Sequence, residues 1–396
     1  MLSLSPRCII LTSQQGTVSK TSENTVLQKT LSRILGCALL LYGGTALAFT
    51  LITPPPEQTS PSESITSSTT LQTQVTPIAG TIRSQIFSLR RPRGADRSSS
   101  LGIVLAASSY SGLRSDVDYL AAAPGDSGGG NGGKGGGNSE SLWVSGMSNS
   151  LENEFSRTAF HGTTQNVLFG VDMTRSDKFV AGLSIGYETS NFVTTFNTGN
   201  ERTTGVNVNP YFAYLLSDSW SVDLILGYGQ FNTRQSRTIG SVVPLVTTAV
   251  DSEFNSTRGF ASANLTNISL VGDWKLTGSL GAQGSRREQD AYTETDGTAV
   301  ASSKLTAEQY SLLAEAAYGR GKSEAFFGAM YQYSTDPVKT QFATGQQPPD
   351  DPDSYLLSAG WRYFGKDLTA NFVFTGRVGQ EDVKEYGFSM VLRVDL

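Results

Sequence analysis

The 396-residue chain has a single histidine, His161, and imidazole is the side chain most often used as a general base near neutral pH. A hydrolase built on it needs a nucleophile, and Thr163, two residues on, stands with no neighbouring base pattern to activate it. A lone histidine in a polar link is ordinarily solvated, so no catalytic residue is assigned. Asp350, Asp351 and Asp353 carry the ligand type that calcium takes. Pro349 and Pro352 interrupt any regular ligand spacing, which leaves a solvated acidic loop and no metal site. Both cysteines, Cys8 and Cys37, lie near the N-terminus, so the rest of the chain offers no thiol chemistry. No cofactor is implied, and a net charge of -5 points to no nucleic-acid partner.

With chemistry this sparse, the informative feature is the wall that would carry it. From about Glu140 onward the chain is a run of short stretches in which every second residue is apolar. In the last one, Tyr386, Phe388, Met390, Leu392, Val394 and Leu396 face one way, and Gly387, Ser389, Val391, Arg393 and Asp395 the other. The apolar face is rich in Tyr, Trp and Phe at the ends of stretches, and the other face is small, polar and charged in both signs. That arrangement predicts an all-β fold, an antiparallel up-and-down transmembrane barrel with lipid outside and water inside. No apolar run approaches the ~20 residues that a membrane-spanning helix needs.

About twelve strands are expected, joined in pairs by short connections such as 175–178, 217–219, 271–273, 319–322 and 365–367. Longer polar links separate the pairs, at 189–203, 230–256, 285–304 and 334–353, and His161 falls in the first outer link. Leu305 to Ala317 has helix-forming residues at helical spacing, but its place between a long link and a tight turn makes it a strand. Alternation turns Asp223, Lys275, Glu315, Arg362, Arg377 and Arg393 inward. Their mixed signs would pair across a wet interior and hold a plug helix through its polar face.

Residues 1–48 read as a signal peptide. A long basic n-region carries Arg7, Lys20, Lys29 and Arg33, a short apolar core follows, and Ala46 and Ala48 frame a small-x-small cleavage site. Apolar residues continue past Cys37, which argues against lipid attachment there. Residues 49–140 form a short low-complexity segment. Its Pro/Ser/Thr-rich start is expected to be extended as far as Thr73. Ile78, Ile82, Ile86 and Leu89 recur at helical spacing, so residues 75–91 are a candidate plug helix. The alternative is a periplasmic or surface helix. A weaker amphipathic stretch covers 101–120, and the glycine tract 128–137 is a flexible tether.

Leu142-Trp143-Val144-Ser145-Gly146, Thr158-Ala159-Phe160-His161-Gly162, Val180 to Tyr187 and Asp290 to Glu294 together resemble the C-terminal translocator domain of autotransporters, the type V secretion family. The resemblance covers about 141–396. It implies a twelve-stranded outer-membrane barrel of a Gram-negative bacterium, with a helix in its pore leading to an exported N-terminal passenger. The final strand, with Glu385, Gly387, Met390, Leu392 and Leu396, is similar to the signal read by the barrel-assembly machinery, with Leu396 in place of the usual Phe. Implied partners are the outer-membrane bilayer, that machinery, periplasmic chaperones and the chain's own N-terminal segment in the pore. Family members usually carry several hundred residues of β-helix, whereas about ninety residues without a repeat lie here between the cleavage site and the barrel. The leading expectation is a translocator that anchors, and exports, its own short segment, and not an enzyme. The alternative is a stand-alone pore or surface-structural barrel. Third comes an outer-membrane hydrolase, for which the serine–histidine or His–Asp constellations of such enzymes are lacking.

Overall fold

The computed structural model describes residues 61, 65, 67–88, 139–175, 178–242, 245–335, 351–365 and 368–396. Among the described residues, the helix α1 (Ser68–Ser88) precedes fourteen strands: β1 (Ser139–Asn153), β2 (Phe160–Arg175), β3 (Phe179–Thr194), β4 (Gly199–Leu215), β5 (Trp220–Val242), β6 (Leu245–Val271), β7 (Trp274–Gln289), β8 (Tyr292–Thr293), β9 (Ala299–Val300), β10 (Ser303–Arg320), β11 (Ser323–Ser334), β12 (Asp353–Phe364), β13 (Leu368–Val378) and β14 (Val383–Asp395). Twelve of them close into an antiparallel barrel in chain order, and β8 and β9 form a separate small hairpin between β7 and β10. The seam closes where β14 pairs with β1, from Ser141 opposite Asp395 to Asn153 opposite Val383. Every ladder bond is thus made between strands, the condition for spanning lipid without a helix.

Both barrel termini and the five short turns share one end, here the terminal end, and the remaining links share the distal end. Two of the tight turns rest on glycines with positive φ, Gly272 and Gly321, a conformation that other L-residues adopt only with strain. The ladder overrides helix propensity in β10. Leu305 to Ala317 lies wholly in strand, paired on one side with β7 and on the other with β11.

The polar links expected at 189–203 and 230–256 are for the most part strand. β3 and β4 are joined by residues 195–198 alone, and β5 and β6 run on to Val242 and from Leu245. The cause is that strands rising past the bilayer meet water on their outer face and lose their alternation without losing their ladder. A membrane strand needs about 9–11 residues. β11 to β14 have 11 to 13, whereas β5 and β6 have 23 and 27, so one flank of the wall stands far above the other. His161 also lies in strand, on the outer face of β2 opposite Glu152 and Val193, and not in a link.

Candidate functional site: a helix in the pore

The outer face of the barrel is apolar and girdled at two levels. Phe179, Trp220, Trp274, Tyr318 and Trp361 ring the terminal end, and Tyr187, Tyr228, Tyr310, Tyr355 and Tyr386 ring a level nearer the distal end. Leu183, Ile185, Leu226, Leu280 and Leu312 lie exposed between the rings, where a hydrocarbon layer would cover them.

α1 occupies the interior. Its start is seven residues upstream of the expected 75–91, because Ser67 caps it by accepting a hydrogen bond from the Thr70 amide at 3.1 Å. Residues 89–91 lie outside the described residues. Leu71, Val75, Ile78, Ala79, Ile82 and Ile86 make one apolar stripe, all at most 2% exposed. The stripe packs in one cluster with Trp143, Met147, Leu168, Val180, Tyr211, Ala213, Ile225 and Phe260 of β1–β6, and with Leu305, Ala307 and Val391 of β10 and β14. The expectation that a polar face holds the helix is therefore corrected: an apolar face seats it, and polar contacts are confined to certain levels. The wall is shaped for this. A Cβ on Gly182 would stand 2.3 Å from Tyr211 Cζ, so only glycine lets that ring lie flat against β3. Trp143 Nε1 donates to the Tyr211 hydroxyl at 3.0 Å and to Asp172 at 3.3 Å, and Tyr211 in turn donates to Asp172.

A polar collar surrounds the first turns of α1. Gln72 exchanges hydrogen bonds with Ser334 at 3.1 and 3.2 Å and accepts one from Gln309 at 3.3 Å. Thr73 donates to Glu385 at 3.2 Å, and Arg258 donates to Gln74 at 2.5 Å while also pairing with Glu188. Gln283 donates to Thr76 at 3.2 Å. Deeper in the pore the contacts thin out: Thr81 donates to Met147 Sδ at 3.0 Å, and Arg83 lies 3.8 Å from Asp223. Most of the apolar seat is on the β1–β6 side, and Leu305 and Ala307 of β10 and Val391 of β14 complete it. Below the polar collar a cavity of about 260 Å³ opens beside α1 toward β10–β13, with Pro77 and Gly80 of the helix facing Ser311, Ser358 and Asn371.

The six residues read as inward all have enclosed side chains, and they serve the wall more than the helix. Lys275 reaches Glu324 at 2.6 Å, and Arg362 bridges Glu315 at 2.8 Å and Glu324 at 2.5 Å. Arg377 pairs with Glu385 at 2.7 Å and Arg393 with Asp395 at 2.7 Å. Of the six, only Asp223 faces a charge of α1, and it also accepts from Asn264 at 2.8 Å. In the final strand Glu385 and Gly387 turn inward, and Met390, Leu392 and Leu396 lie on the outward side, with Leu396 exposed. Ala46, Ala48, the glycine tract and Asp350 lie outside the described residues. Asp351 accepts from the Glu381 amide at 2.9 Å and Asp353 from the Tyr331 hydroxyl. Among the described residues no three His, Cys, Asp or Glu side chains gather as metal ligands would.

At the distal end, residues 290–302 fold back over the wall extension. Arg237 and Glu294 form a buried pair at 2.5 Å, and Tyr292 stacks on Phe254 with ring centroids 4.6 Å apart. Beneath them Glu201 is buried beside Arg287, and burial raises its carboxyl above the usual range despite that guanidinium. Sequence reasoning missed the apolar inner strip. Its signal was present as triplets that break alternation, Val167-Leu168-Phe169 and Leu224-Ile225-Leu226, in which the middle residue faces the helix.

A closed twelve-stranded barrel, oily outside and threaded by one of its own helices, defines a class of transmembrane proteins that enclose a segment of their own chain. The family model described as "Autotransporter beta-domain" matches residues 142–363, and the chain belongs to that family of outer-membrane translocator barrels. The fold is similar to the translocator domain of the autotransporter NalP from Neisseria meningitidis (TM-score 0.55, 13% identity), over 65% of this chain and 88% of that one. It is also similar to the β domain of the Bordetella autotransporter BrkA (TM-score 0.50, 16% identity), over 64% of this chain and 98% of that one. No curated protein sequence matches the chain.

Proposed function

We propose that this barrel carries its own N-terminal segment outward through its pore and keeps α1 inside as the parked end of that transit. The polarity of α1 is the observation that supports this reading. Ile65, just before the helix, is buried at the distal end among Leu151, Phe160 and Phe192, while Arg83, near the other end of the helix, lies beside Asp223 toward the terminal end. In a barrel whose terminal end is periplasmic, a chain threaded this way has its N-terminal side on the cell surface. Residues 1–48 act as the export signal and are removed between Ala48 and Phe49. Assembly in the outer membrane of a Gram-negative cell then depends on periplasmic chaperones and on the barrel-assembly machinery, which reads the final strand. Catalysis has no part in this account, since transit and retention need only a wall, a pore and a seat for the helix.

An epitope tag inserted at Ser60 tests it. Protease shaving of intact cells is expected to remove the tag and leave the barrel. A tag protected in intact cells and lost only on lysis would leave the stand-alone barrel with a periplasmic segment as the better account.

A further inference from the structure

The apolar seat of α1 fixes only in part how far the helix has travelled. Its apolar positions are 71, 75, 78, 79, 82 and 86. Shift the helix outward by four residues, about 6 Å along its axis. The seats of Leu71, Val75, Ile78 and Ile82 are then filled by Val75, Ala79, Ile82 and Ile86, apolar in every case, while Arg83 enters the seat of Ala79. A slipped helix keeps apolar side chains in four of its six seats.

The collar does not survive the same shift. Thr73, which donates to Glu385, would be replaced by Pro77, whose side chain has no donor, and Gln74, which accepts from Arg258, by Ile78, which has no acceptor. Only Gln72 would receive a polar substitute, Thr76, with a shorter reach toward Gln309 and Ser334. Three consecutive side chains leave the helix in three directions and meet three sectors of wall: β10–β11, β14 and β6. Such an arrangement reads axial position in the first turns, where the apolar seats of Leu71 and Val75 do not.

Resting on the transit reading above, we infer that Gln72, Thr73 and Gln74, with Gln309, Glu385 and Arg258, form a stop that sets the register in which the exported chain halts. These are positioning residues. The wall partners are satisfied without the helix, Arg258 by Glu188 and Glu385 by Arg377, so the helix side of the stop can be removed without stranding a buried charge.

Cysteine pairs in the full chain, with Cys8→Ser and Cys37→Ser, test the inference. Thr81 touches Met147, so Thr81→Cys with Met147→Cys reports the native register, and Gln85→Cys with Met147→Cys reports the outward slip. With the collar intact, a short thiol cross-linker is expected to join 81 to 147 and not 85 to 147. In the Gln72→Leu/Thr73→Val/Gln74→Leu background, the ratio of native to slipped product is expected to fall about tenfold or more, the equivalent of one or two lost hydrogen bonds. Heat-modifiable migration in gels checks that each barrel is folded. An unchanged ratio overturns the stop and leaves the transit reading standing. Loss of both products in the collar variant alone makes the collar a general anchor and likewise overturns it. Failure of both pairs with the collar intact, in a folded barrel, takes down the parked helix and the stop together.

Discussion

Replacing Ile82 by alanine, beside a matched change at Gly80, asks whether α1 is packed at one face and open at another. Ile82 is fully buried against the inner wall. Losing a fully buried isoleucine side chain to alanine costs about 2–5 kcal/mol, the deficit growing with the void left behind. Since each 1.4 kcal/mol is tenfold, the docked state should weaken by about 30- to 4000-fold. Gly80 looks into the cavity, and a Cβ there would meet no atom within 4 Å. Gly80→Ala therefore adds only helix propensity, about 1 kcal/mol or roughly fivefold in favour of the ordered helix. Hydrogen–deuterium exchange of the full chain in detergent micelles reads both effects on peptides covering 68–88. Ile82→Ala should speed exchange there by at least an order of magnitude, while the β2–β4 amides stay protected. Gly80→Ala should slow it. Two changes of equal sign, or no change at Ile82, would refute the contrast between a packed face at Ile82 and an open one at Gly80.

Two further expectations follow. Leu312 and Ser311 are neighbours on β10, one in the lipid-facing band and one facing the cavity. Leu312→Arg should cost about 2–4 kcal/mol in the bilayer and block assembly, whereas Ser311→Arg should give a folded barrel by heat-modifiable migration. Equal behaviour would mean that the faces are exchanged. At the distal mouth, beyond the membrane, burial raises the Glu201 carboxyl above its unfolded value, and Thr203 and Arg287 are its neighbours. A folded acid with a raised pKa binds more protons than the unfolded chain, so its contribution to stability declines as pH rises through that window. Melting of the barrel should accordingly rise on mild acidification, and Glu201→Gln should flatten that dependence. A wild-type melting temperature that falls as pH drops from 7 to 5 would contradict the assignment.

The wall was legible in the sequence wherever one face meets lipid and the other a hydrated interior, as in β14, because only there does burial impose a strict period of two. Above the bilayer the signal fades. Thr189 to Thr194 and Gln230 to Val242 are ladder-bonded strand, yet water on the outer face permits polar residues at every position, so they read as loop. The helix was visible only in part. Ser, Thr and Gln fill its first turns because those residues meet a polar collar, and their presence disguised Leu71 as extended, disordered chain. Pairing of Lys275, Glu315, Glu324 and Arg362 among themselves, and not with the helix, depends on which strands are neighbours around the circumference, and no local pattern encodes that.

The unequal height of the wall bears on whatever the cell displays from this barrel. Fourteen residues separate Tyr228 in the upper girdle from the tip of β5 at Val242, which at ~3.3 Å per residue and a strand tilt near 40° is about 35 Å of upright sheet. Pro61 lies beside Gly199, which the β4–β5 register sets just past Ser236, most of the way up that screen. Under the proposed transit, a segment emerging there has only the last five residues of β5, about 13 Å of sheet, standing above it on that flank, and it clears the low parapet of β11 to β14 altogether.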